Sequence, residues 1–341
     1  MKKTNNKYTR VPLGTLFFTI NTIIKLNMKD KKNIVLIGAG AVGTSFLYSA
    51  INQKLAHKYG IIDLNTEVAI GNKLDLEDAI ATLDYKADIE TGGYELVKDA
   101  DILVITAGRP QKEGESRLDM VKDNTLIIKS IAKQVKENGF NGITIMVSNP
   151  VDICATVYQR ETGFDASKVI SSSCALDTSR LKIDLSHRLN IHHKLFNIYV
   201  LGEHGDSSVP TYTFASVDGK PLMNIFEEQN ISKDDIDEIT NSVHNKAYEI
   251  INKKKATFYG IGAKIAEICD VIINNRTKVM AVGTLLKGEY GQEGVYAAVP
   301  CQLDGSGFVK TIEFPLSEEE LKKFTKSIEV LKETFNKTLE L

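Results

Sequence analysis

Short apolar runs rich in β-branched residues alternate with segments of helical periodicity in the first half of this chain. The runs lie at Ile34–Ile37, Ile61–Ile62, Ile102–Ile105 and Ile143–Val147. Parallel strands need long crossover connections, usually helices, so this alternation is typical of repeated strand-helix-strand units. The sequence therefore predicts an α/β fold with a doubly wound parallel sheet.

The pattern changes after Asn149–Pro150. A strand-like segment at Leu195–Leu201 and another around Val295–Val299 are separated by a long region of mixed polar and apolar residues. We therefore expect the parallel sheet to be followed by a mixed α+β domain. We place the first domain at residues 30–171 and the second at residues 172–341.

A closing helix is indicated by Ser317 and Glu320, which have the spacing of a capping box. Apolar residues then recur at helical spacing, namely Leu321, Phe324, Ile328, Leu331 and Phe335. We expect this helix to serve packing rather than chemistry.

The charges of the chain nearly cancel, with 42 Lys and Arg against 44 Asp and Glu. Such a balance gives no overall field that would attract nucleic acid or an anionic membrane, so we expect neither as a partner and a small-molecule substrate instead. The four cysteines lie far apart, without a CxxC pair. They indicate reduced thiols in the cytoplasm rather than a disulfide framework or a metal site.

Residues 1–29 contain the one stretch that could be mistaken for a targeting signal. Its apolar part, Val11–Leu26, is interrupted by threonine and asparagine, lacks a cleavage site and is too polar to span a membrane. Met28, just before the first predicted strand, would serve well as a start. We therefore expect residues 1–29 to be an extension without chemical function.

Three glycines, Gly38, Gly40 and Gly43, form a G-x-G-x-x-G motif directly after the first predicted strand. The first glycine permits a tight turn, the second lets a pyrophosphate approach the backbone at a helix N-terminus, and the third allows close helix packing. Asp63 follows at the end of the second predicted strand, where a ribose-binding acid is expected. Its carboxylate can accept both ribose hydroxyls and would repel a 2′-phosphate. The motif thus predicts a Rossmann-type domain that binds NAD rather than NADP.

The segment Gly202–Ser207 reads Gly-Glu-His-Gly-Asp-Ser and resembles the active-site histidine signature of the L-lactate and malate dehydrogenase family. Other segments match motifs of that family in the family's order, from about Lys31 to the C-terminus. They are Ala107-Gly108 through Arg117, Val147–Pro150, Leu176-Asp177 with Arg180, and Ala256-Thr257 with Gly260. The resemblance implies a Rossmann-type cofactor domain, a mixed substrate domain, an L-2-hydroxy acid substrate and a dimer or tetramer.

The activity that the resemblance implies is the interconversion of (S)-lactate and pyruvate with NAD, in fermentation after glycolysis. Malate dehydrogenase or another L-2-hydroxy-acid dehydrogenase is the alternative. A dinucleotide-binding protein without catalysis is disfavoured, because the chain retains the family's four catalytic and substrate-binding side chains, His204, Asp177, Arg180 and Arg117.

His204 is the expected acid and base of this reaction. An imidazole with a pKa of about 6.5 can both take and give a proton at neutral pH. The resemblance makes Asp177 its partner, whose carboxylate would accept the other ring N–H and favour the imidazolium. A lone histidine beside glycines would otherwise be an ordinary loop residue.

Two arginines complete the expected substrate site. The family uses Arg180 to bind the substrate carboxylate through paired hydrogen bonds, although an Asp-x-x-Arg spacing alone would indicate only a surface ion pair. Arg117 lies in the segment Arg109–Met120, which we interpret as a mobile loop. After closure of this loop, Arg117 would polarise the substrate carbonyl and stabilise the developing alkoxide.

The family assigns further contacts by position. Asn149 would hydrogen-bond nicotinamide or substrate, Thr257 would line the substrate pocket, and Ile261 would lie against the nicotinamide, with core packing as the alternative for Ile261. The cofactor-binding residues implied in this way are Gly38, Gly40, Val42, Gly43, Asp63, Ala107, Gly108, Asn149 and Ile261.

Gln111 occupies the position that distinguishes the family's two main substrates. Malate dehydrogenases carry an arginine there, which pairs with the second carboxylate of oxaloacetate, whereas glutamine would leave that carboxylate desolvated and unpaired. Pyruvate has a methyl group at this point, so Gln111 favours lactate and pyruvate as the substrate pair. Arg109, two residues earlier, could bring a charge inward if the register of the loop shifted.

The chain departs from the family at Ser171-Ser172-Ser173-Cys174, where Gly-Ser-Gly-Thr is usual. If the two lost glycines need positive φ or close backbone approach, serine costs stability or displaces the segment that positions Asp177. Cys174 could be sensitive to oxidation, but we interpret it as a buried, inert thiol.

Many bacterial members of the family resemble one another in a site between subunits that binds fructose 1,6-bisphosphate. Its usual arginine and histidine are replaced here by Lys182 and Asn197. Lysine lacks the planar fork that binds phosphate, and asparagine carries no charge, although His192 and His193 lie nearby. We expect a homotetramer that assembles without this effector and responds to it weakly or not at all.

Overall fold

The computed structural model describes residues 32–109 and 117–338 of the chain. The strands in these residues are β1 (Asn33–Ile37), β2 (Lys58–Ile62), β3 (Asp88–Thr91), β4 (Ile102–Ile105), β5 (Ile143–Met146), β6 (Val169–Ser171), β7 (Phe196–Asn197), β8 (Val200–Leu201), β9 (Val209–Pro210), β10 (Ser216–Val217), β11 (Lys220–Pro221), β12 (Lys278–Lys287), β13 (Glu293–Asp304) and β14 (Gly307–Thr311). The helices are α1 (Ala41–Asn52), α2 (Thr66–Ala81), α3 (Arg117–Glu137), α4 (Val151–Thr162), α5 (Ala175–Leu189), α6 (Leu222–Glu228), α7 (Lys233–Lys254), α8 (Tyr259–Ile273) and α9 (Glu318–Asn336).

The main sheet of this described part has nine strands in the order β14-β13-β12-β6-β5-β4-β1-β2-β3. The six strands from β6 to β3 in this order are parallel to one another. The chain proceeds outward from β1 to β3, returns to β4 beside β1, and continues to β6. The strand order therefore reverses between β1 and β4, and this confirms the predicted Rossmann-type doubly wound sheet.

Three antiparallel strands from the second half of the chain extend this sheet. Strand β12 pairs with β6 at Gly283 and Ser171, and β13 and β14 follow outside it. The larger hydrophobic core also contains residues from both halves, including Ile105, Val282 and Phe324. Sheet and core are thus continuous across residue 171. A smaller core forms between α5, α6 and α7.

Four of the strands were predicted from apolar runs, namely β1, β2, β4 and β5. The prediction missed β3, which has one apolar residue, and β6, which is only three residues long. It also missed β12 and β14 in the second half of the chain. The strand around Val295–Val299 lies within β13. The single strand expected at Leu195–Leu201 is wrong. That run divides into β7 and β8 because Phe196 pairs with Val217 in one small sheet and Leu201 pairs with Val209 in another.

The closing helix α9 begins with the predicted capping box. Ser317 Oγ accepts a hydrogen bond from the Glu320 amide, and Glu320 Oε2 accepts one from the Ser317 amide. Of the five apolar residues expected to pack, Leu321 is 39% exposed, since it lies on the outer face of the helix, and the other four are buried.

Two expectations concern segments at the limits of the described residues. The segment Arg109–Met120 was interpreted as a loop, but it is helical from Arg117 because α3 begins there. Gln111, the side chain of Arg117 and the extension over residues 1–29 lie outside what the structure describes. Within residues 32–109 and 117–338, no helix is both long and apolar enough to cross a bilayer.

The turn between β6 and α5 contains the serines that replace two family glycines. Ser173 is buried and has a φ of 34°, so this serine occupies a left-handed position. Ser171 is accommodated differently, because its strand partner is Gly283. A Cβ atom at position 283 would lie 2.7 Å from the Cβ atom of Ser171.

We expect Ser173→Gly to raise the free energy of unfolding by about 1 kcal/mol, since glycine adopts positive φ without the steric cost that serine bears. The matched control is Ser172→Gly, one residue earlier and also buried, which should lower the free energy of unfolding by about 0.5–1 kcal/mol. Urea unfolding of the three proteins measures both changes. If Ser173→Gly is no more stable than Ser172→Gly, the turn carries no strain at Ser173.

Candidate active site

A cavity of about 380 Å³ opens at the junction of the main sheet and the second half of the chain. This cavity is lined by four of the side chains that the sequence analysis selected, namely Asn149, Asp177, Arg180 and His204. They come from separate segments, after β5, in α5 and after β8. The fold thus brings together groups that are up to 55 residues apart in the sequence.

Asp177 and His204 are in direct contact in this cavity. His204 Nδ1 lies 2.6 Å from Asp177 Oδ2, and only 8% of the Asp177 side chain and 30% of the His204 side chain are exposed. Asp177 stands in the first turn of α5, where the helix dipole also favours a negative charge. With an ionised carboxylate as acceptor, Nδ1 is the donor, so Nε2 is the ring nitrogen that exchanges protons with a substrate.

The charges of this pair stabilise each other. The Asp177 carboxylate raises the pKa of His204 above its usual value of 6.5, although burial of the imidazole opposes the change. Burial opposes ionisation of Asp177, but His204 and Arg180 outweigh it, and the pKa of Asp177 is lowered. The site therefore favours an ion pair of imidazolium and carboxylate.

Arg180 lies on the same face of α5 as Asp177. Its Nη1 atom donates a hydrogen bond of 3.0 Å to Asp177 Oδ1, and the side chain is mostly buried. The ion pair suggested by the Asp-x-x-Arg spacing thus exists, but it lines the cavity rather than the outer surface. A guanidinium has five N–H donors, so this contact leaves capacity for a substrate carboxylate.

The segment before His204 is held by the C-terminal half of the chain. Gly202 exchanges two backbone hydrogen bonds of 2.9 Å with Ala298 of β13. Gly202 has a φ of 88°, and a Cβ atom there would lie 2.5 Å from Ser327 Oγ of α9. The Ser327 hydroxyl accepts a hydrogen bond from the Glu203 amide. These contacts fix the backbone at the approach to His204.

Asp152, in the first turn of α4, is a site residue that the sequence analysis missed. Its carboxylate is buried, and Oδ2 accepts a 3.0 Å hydrogen bond from the His204 amide. The signal that could have found it is a single acidic residue in the apolar run Val151–Ala155, because such a residue falls on a buried helix face.

Asn124 of α3 was also missed. Its side chain is buried, and Oδ1 accepts a hydrogen bond from the Arg109 amide while Nδ2 donates to the backbone carbonyls of Arg109 and Asn149. Asn124 thus links Arg109, at the start of the segment that carries Gln111, to Asn149, which follows β5. The Arg109 guanidinium, which also lines the cavity, forms an ion pair with Asp123 at 2.6 Å.

The three motif glycines fit a dinucleotide at the point where the strand order reverses. Gly38 has a φ of 102°, and a Cβ atom there would lie 2.6 Å from the Ala107 amide nitrogen. A Cβ atom at Gly43 would lie 2.2 Å from the Gly38 carbonyl oxygen, so only glycine permits this approach of α1. Gly40 is exposed, with nothing within 4 Å of a notional Cβ atom. Its open face leaves room for a pyrophosphate at the start of α1.

Asp63 lies at the end of β2, beside this glycine turn. Oδ2 accepts a 2.7 Å hydrogen bond from the Ala39 amide, and Oδ1 accepts one from the Asn65 amide. Each carboxylate oxygen can accept a further bond, so both remain suited to ribose hydroxyls. The following residues, Leu64 and Asn65, bring no positive charge for a 2′-phosphate.

The other selected residues lie around these two sites. Val42 and Ala107 pack partly buried against the larger core, and Gly108 is exposed after β4. Thr257 is half-buried between α7 and α8, and Ile261 packs against the larger core from α8. Neither Thr257 nor Ile261 is among the described residues that line the cavity.

Cys174 is fully buried behind the active site. Its Sγ atom lies 3.5 Å from the carbonyl oxygen of Glu203, and burial raises the pKa of the thiol well above its usual value, with Asp177 and Asp152 adding to the effect. These surroundings agree with the expected inert thiol. In the described ranges, no group of three His, Cys, Asp or Glu side chains is placed to hold a metal ion.

Models of two protein-family domains match the chain. Residues 32–171 match the NAD binding domain of lactate/malate dehydrogenase, and residues 174–341 match the alpha/beta C-terminal domain of the same family. Together with the glycine turn, the first match identifies NAD as the cofactor.

Two relatives named L-lactate dehydrogenase, from Mycoplasma mobile and Mesoplasma florum, are 46% and 45% identical to the chain over 92% of its length and 98% of theirs. A solved structure of a minor L-lactate dehydrogenase from Enterococcus mundtii is 38% identical with a TM-score of 0.88, covering 90% of this chain and 98% of that chain. A lactate dehydrogenase from a deep-sea metagenome has the same TM-score at 36% identity, covering 91% of this chain and 99% of that chain. The chain therefore belongs to the lactate/malate dehydrogenase family.

Proposed function

We propose that this chain is an NAD-dependent L-lactate dehydrogenase, which interconverts (S)-lactate and pyruvate. The observation that carries the proposal is the pairing of His204 with buried Asp177 beside Arg180 in one cavity. The L-lactate dehydrogenases that cover nearly the whole chain support the same substrate pair. The substrate is thus a small molecule.

When bound, NAD supplies the hydride acceptor for lactate oxidation, and NADH supplies the hydride donor for pyruvate reduction. During reduction, protonated His204 gives the Nε2 proton to the carbonyl oxygen of pyruvate. During oxidation, the neutral ring takes the hydroxyl proton of lactate at the same atom. Asp177 stabilises the imidazolium in both directions, since it lies 2.6 Å from Nδ1.

Arg180 would bind the substrate carboxylate, because its guanidinium lies at the cavity beside Asp177 and has N–H donors beyond the one used by Asp177. Arg117 would stabilise the alkoxide from the start of α3. Gln111 would lie beside the substrate methyl group, and Thr257 would line the substrate pocket from the segment between α7 and α8.

We further assign the cofactor contacts to the crevice between β1 and β4. Asn149 would hydrogen-bond the nicotinamide or the substrate, and Ile261 would lie against the apolar face of the nicotinamide. The adenosine and pyrophosphate would be held by the residues around the glycine turn, which are Gly38, Gly40, Val42, Gly43, Asp63, Ala107 and Gly108. The chain would divide into an NAD-binding domain over residues 30–171 and a substrate domain over residues 172–341, with residues 1–29 before both. The limits of the two family models support this division.

We also propose a homotetramer. Helix α2 buries only Ala69 and Leu76, while Val68, Ile70 and Leu74 on the same helix are exposed. Leu64, just before this helix, is exposed as well. Several exposed apolar side chains on one element are typical of an interface, and the occupant we assign to it is a second copy of the chain.

Activation by fructose 1,6-bisphosphate would be weak or absent. Asn197 supplies no charge, and burial, together with Lys264 and Lys278, lowers the pKa of Lys182 to about 8. His192 and His193 stack at 4.4 Å, and burial and the neighbouring positive charges lower the pKa of His193, so its ring is neutral at pH 7. Lys182 keeps most of its charge at pH 7, but the site lacks the guanidinium fork and the charged histidine that usually bind the phosphates in this family.

We place the enzyme in the cytoplasm, in fermentation after glycolysis. All four cysteines are buried free thiols, which suits a reducing compartment. The regeneration of NAD by reduction of pyruvate is the chemistry that such a pathway requires.

We expect the purified protein to oxidise NADH with pyruvate, and His204→Asn to reduce kcat by a factor of about 10³ or more while leaving NADH affinity nearly unchanged. Asparagine keeps a polar side chain but has no proton to donate at neutral pH, and the nucleotide site is separate. Absorbance at the NADH band gives the rate, and NADH fluorescence gives the affinity. Wild-type protein without pyruvate activity, or a variant with near-normal turnover, would contradict the proposal.

Gln111→Arg tests the substrate preference. We expect oxaloacetate reduction to rise relative to pyruvate reduction by a factor of about 10 or more, because the guanidinium can pair with the second carboxylate. Gln111→Leu, which changes the side chain without adding charge, is the control and should not favour oxaloacetate. The ratio of kcat/KM values for the two keto acids is the measurement. An unchanged ratio in Gln111→Arg would assign specificity to another residue.

A further inference from the structure

We propose that Asp152 is a second carboxylate of the acid–base centre, a positioning residue that holds the His204 backbone and, with the help of Ser171, favours the protonated imidazole. This inference rests on the proposed role of His204 as acid and base. It assigns a purpose to the buried Asp152 and to the serine at position 171, where the family usually has glycine.

The contacts of Asp152 are directed at other segments and not at its own helix. The residue is only 2% exposed. Oδ2 accepts a 3.0 Å hydrogen bond from the His204 amide, and Oδ1 accepts one of 2.8 Å from Ser171 Oγ. The helix cap is Pro150, which makes no side-chain capping bond. A buried carboxylate is costly unless its oxygens are satisfied, so these two donors stabilise it in place.

Four segments of the active site meet at this carboxylate. Asp152 itself follows Asn149 by three residues, Ser171 ends β6, and His204 follows β8. From β12, Gly283 approaches so closely that a Cβ atom there would lie 2.9 Å from Asp152 Oδ1. The backbone of His204 is thus tied to the segment that carries Asn149.

The carboxylate also adds to the field at the imidazole. Asp177 is the main cause of the raised pKa of His204, Asp152 acts in the same direction, and Arg180 acts against both. Two buried thiols lie near these carboxylates, Cys154 beside Asp152 and Cys174 beside both acids, and burial raises the pKa of each thiol, so they stay neutral. The other charged or titratable groups that share the cavity with His204 include Arg109, Asp206 and His244. Asp152 is therefore the second negative charge that favours imidazolium.

The charge of Asp152 depends on its hydrogen bonds. Burial raises its pKa to about 6, while the bonds from the His204 amide and the Ser171 hydroxyl, together with the Ser173 side chain, act to lower it. A glycine at position 171 would have no hydroxyl to donate. The Asp152 pKa would then rise, more of the carboxyl group would be protonated at neutral pH, and the imidazolium would lose part of its stabilisation.

The test is an NMR titration of the His204 ring in the full chain with labelled histidine, with the signal assigned by its loss in His204→Asn. We expect Asp152→Asn, which keeps the shape and an acceptor for the His204 amide, to lower the His204 pKa by about 1. Ser171→Ala should also lower the His204 pKa, by less than half as much. The alkaline fall of kcat/KM for pyruvate should shift with it, so that activity above the midpoint drops about tenfold in Asp152→Asn.

Thr144→Val is the matched control. It also removes one buried side-chain hydrogen bond, the 3.1 Å contact of Thr144 with Tyr158, in the strand beside β6. It should lower the free energy of unfolding and leave the His204 pKa unchanged. A purely structural role for Asp152 would make Asp152→Asn behave like this control.

An unchanged His204 pKa in folded Asp152→Asn overturns the inference. If that variant does not fold, Ser171→Ala decides, and an unchanged His204 pKa there overturns it equally. The NMR readout requires no turnover, so a wild-type chain inactive on pyruvate would refute the proposed function and leave this test intact. A shift of the NMR pKa without a shift of the kcat/KM profile would instead contradict the acid–base role of His204.

Discussion

The hydrogen bond between His204 Nδ1 and Asp177 Oδ2, 2.6 Å long, is the contact on which the rest of the site depends. A carboxylate that is only 8% exposed loses most of its hydration and must be stabilised by protein groups. His204, Arg180 and the N-terminal turn of α5 supply this stabilisation. The same charge then holds the imidazole in one tautomer and favours its protonated form, so the stability of the site and its chemistry have a common cause.

The doubly wound sheet supplies the positions for these charges. Strands β5 and β6 are parallel neighbours, and the helix that follows each of them carries an acid in its first turn, Asp152 in α4 and Asp177 in α5. The carboxyl ends of parallel strands lie at one edge of the sheet, so Asp177 reaches the His204 ring and Asp152 reaches the His204 amide. The antiparallel strand β13 then places His204 against them, because it pairs with Gly202.

Much of the fold could be predicted because periodicity and turn chemistry are local properties. The strands β1, β4 and β5 consist mostly of apolar residues, and the spacing of the glycines from Gly38 to Gly43 indicates their steric role. Strand β6 escaped prediction because three residues carry no periodicity. Its addition to β12 depends on contacts between distant parts of the chain.

The sequence motifs predicted the candidate site. The prediction was incomplete where a side chain acts through the backbone of another segment. Asp152 and Asn124 bind backbone groups of His204, Arg109 and Asn149, and the sequence does not state which backbone group a buried polar side chain will meet. The serine at position 171 was expected to cost stability or to displace the segment that positions Asp177. In the structure Gly283 makes room for it, and its hydroxyl donates to Asp152.

The pH dependence of kcat/KM for pyruvate reduction by the wild-type protein tests the central claim most directly. Reduction requires the imidazolium, and Asp177 raises the pKa of His204 above 6.5, so activity should persist through pH 6.5 and be lost as the pH rises through the raised pKa. The account predicts a single alkaline decline with its midpoint above pH 6.5. A midpoint at or below pH 6.5 would contradict it, because Asp177 would then provide no stabilisation of the proton that His204 donates.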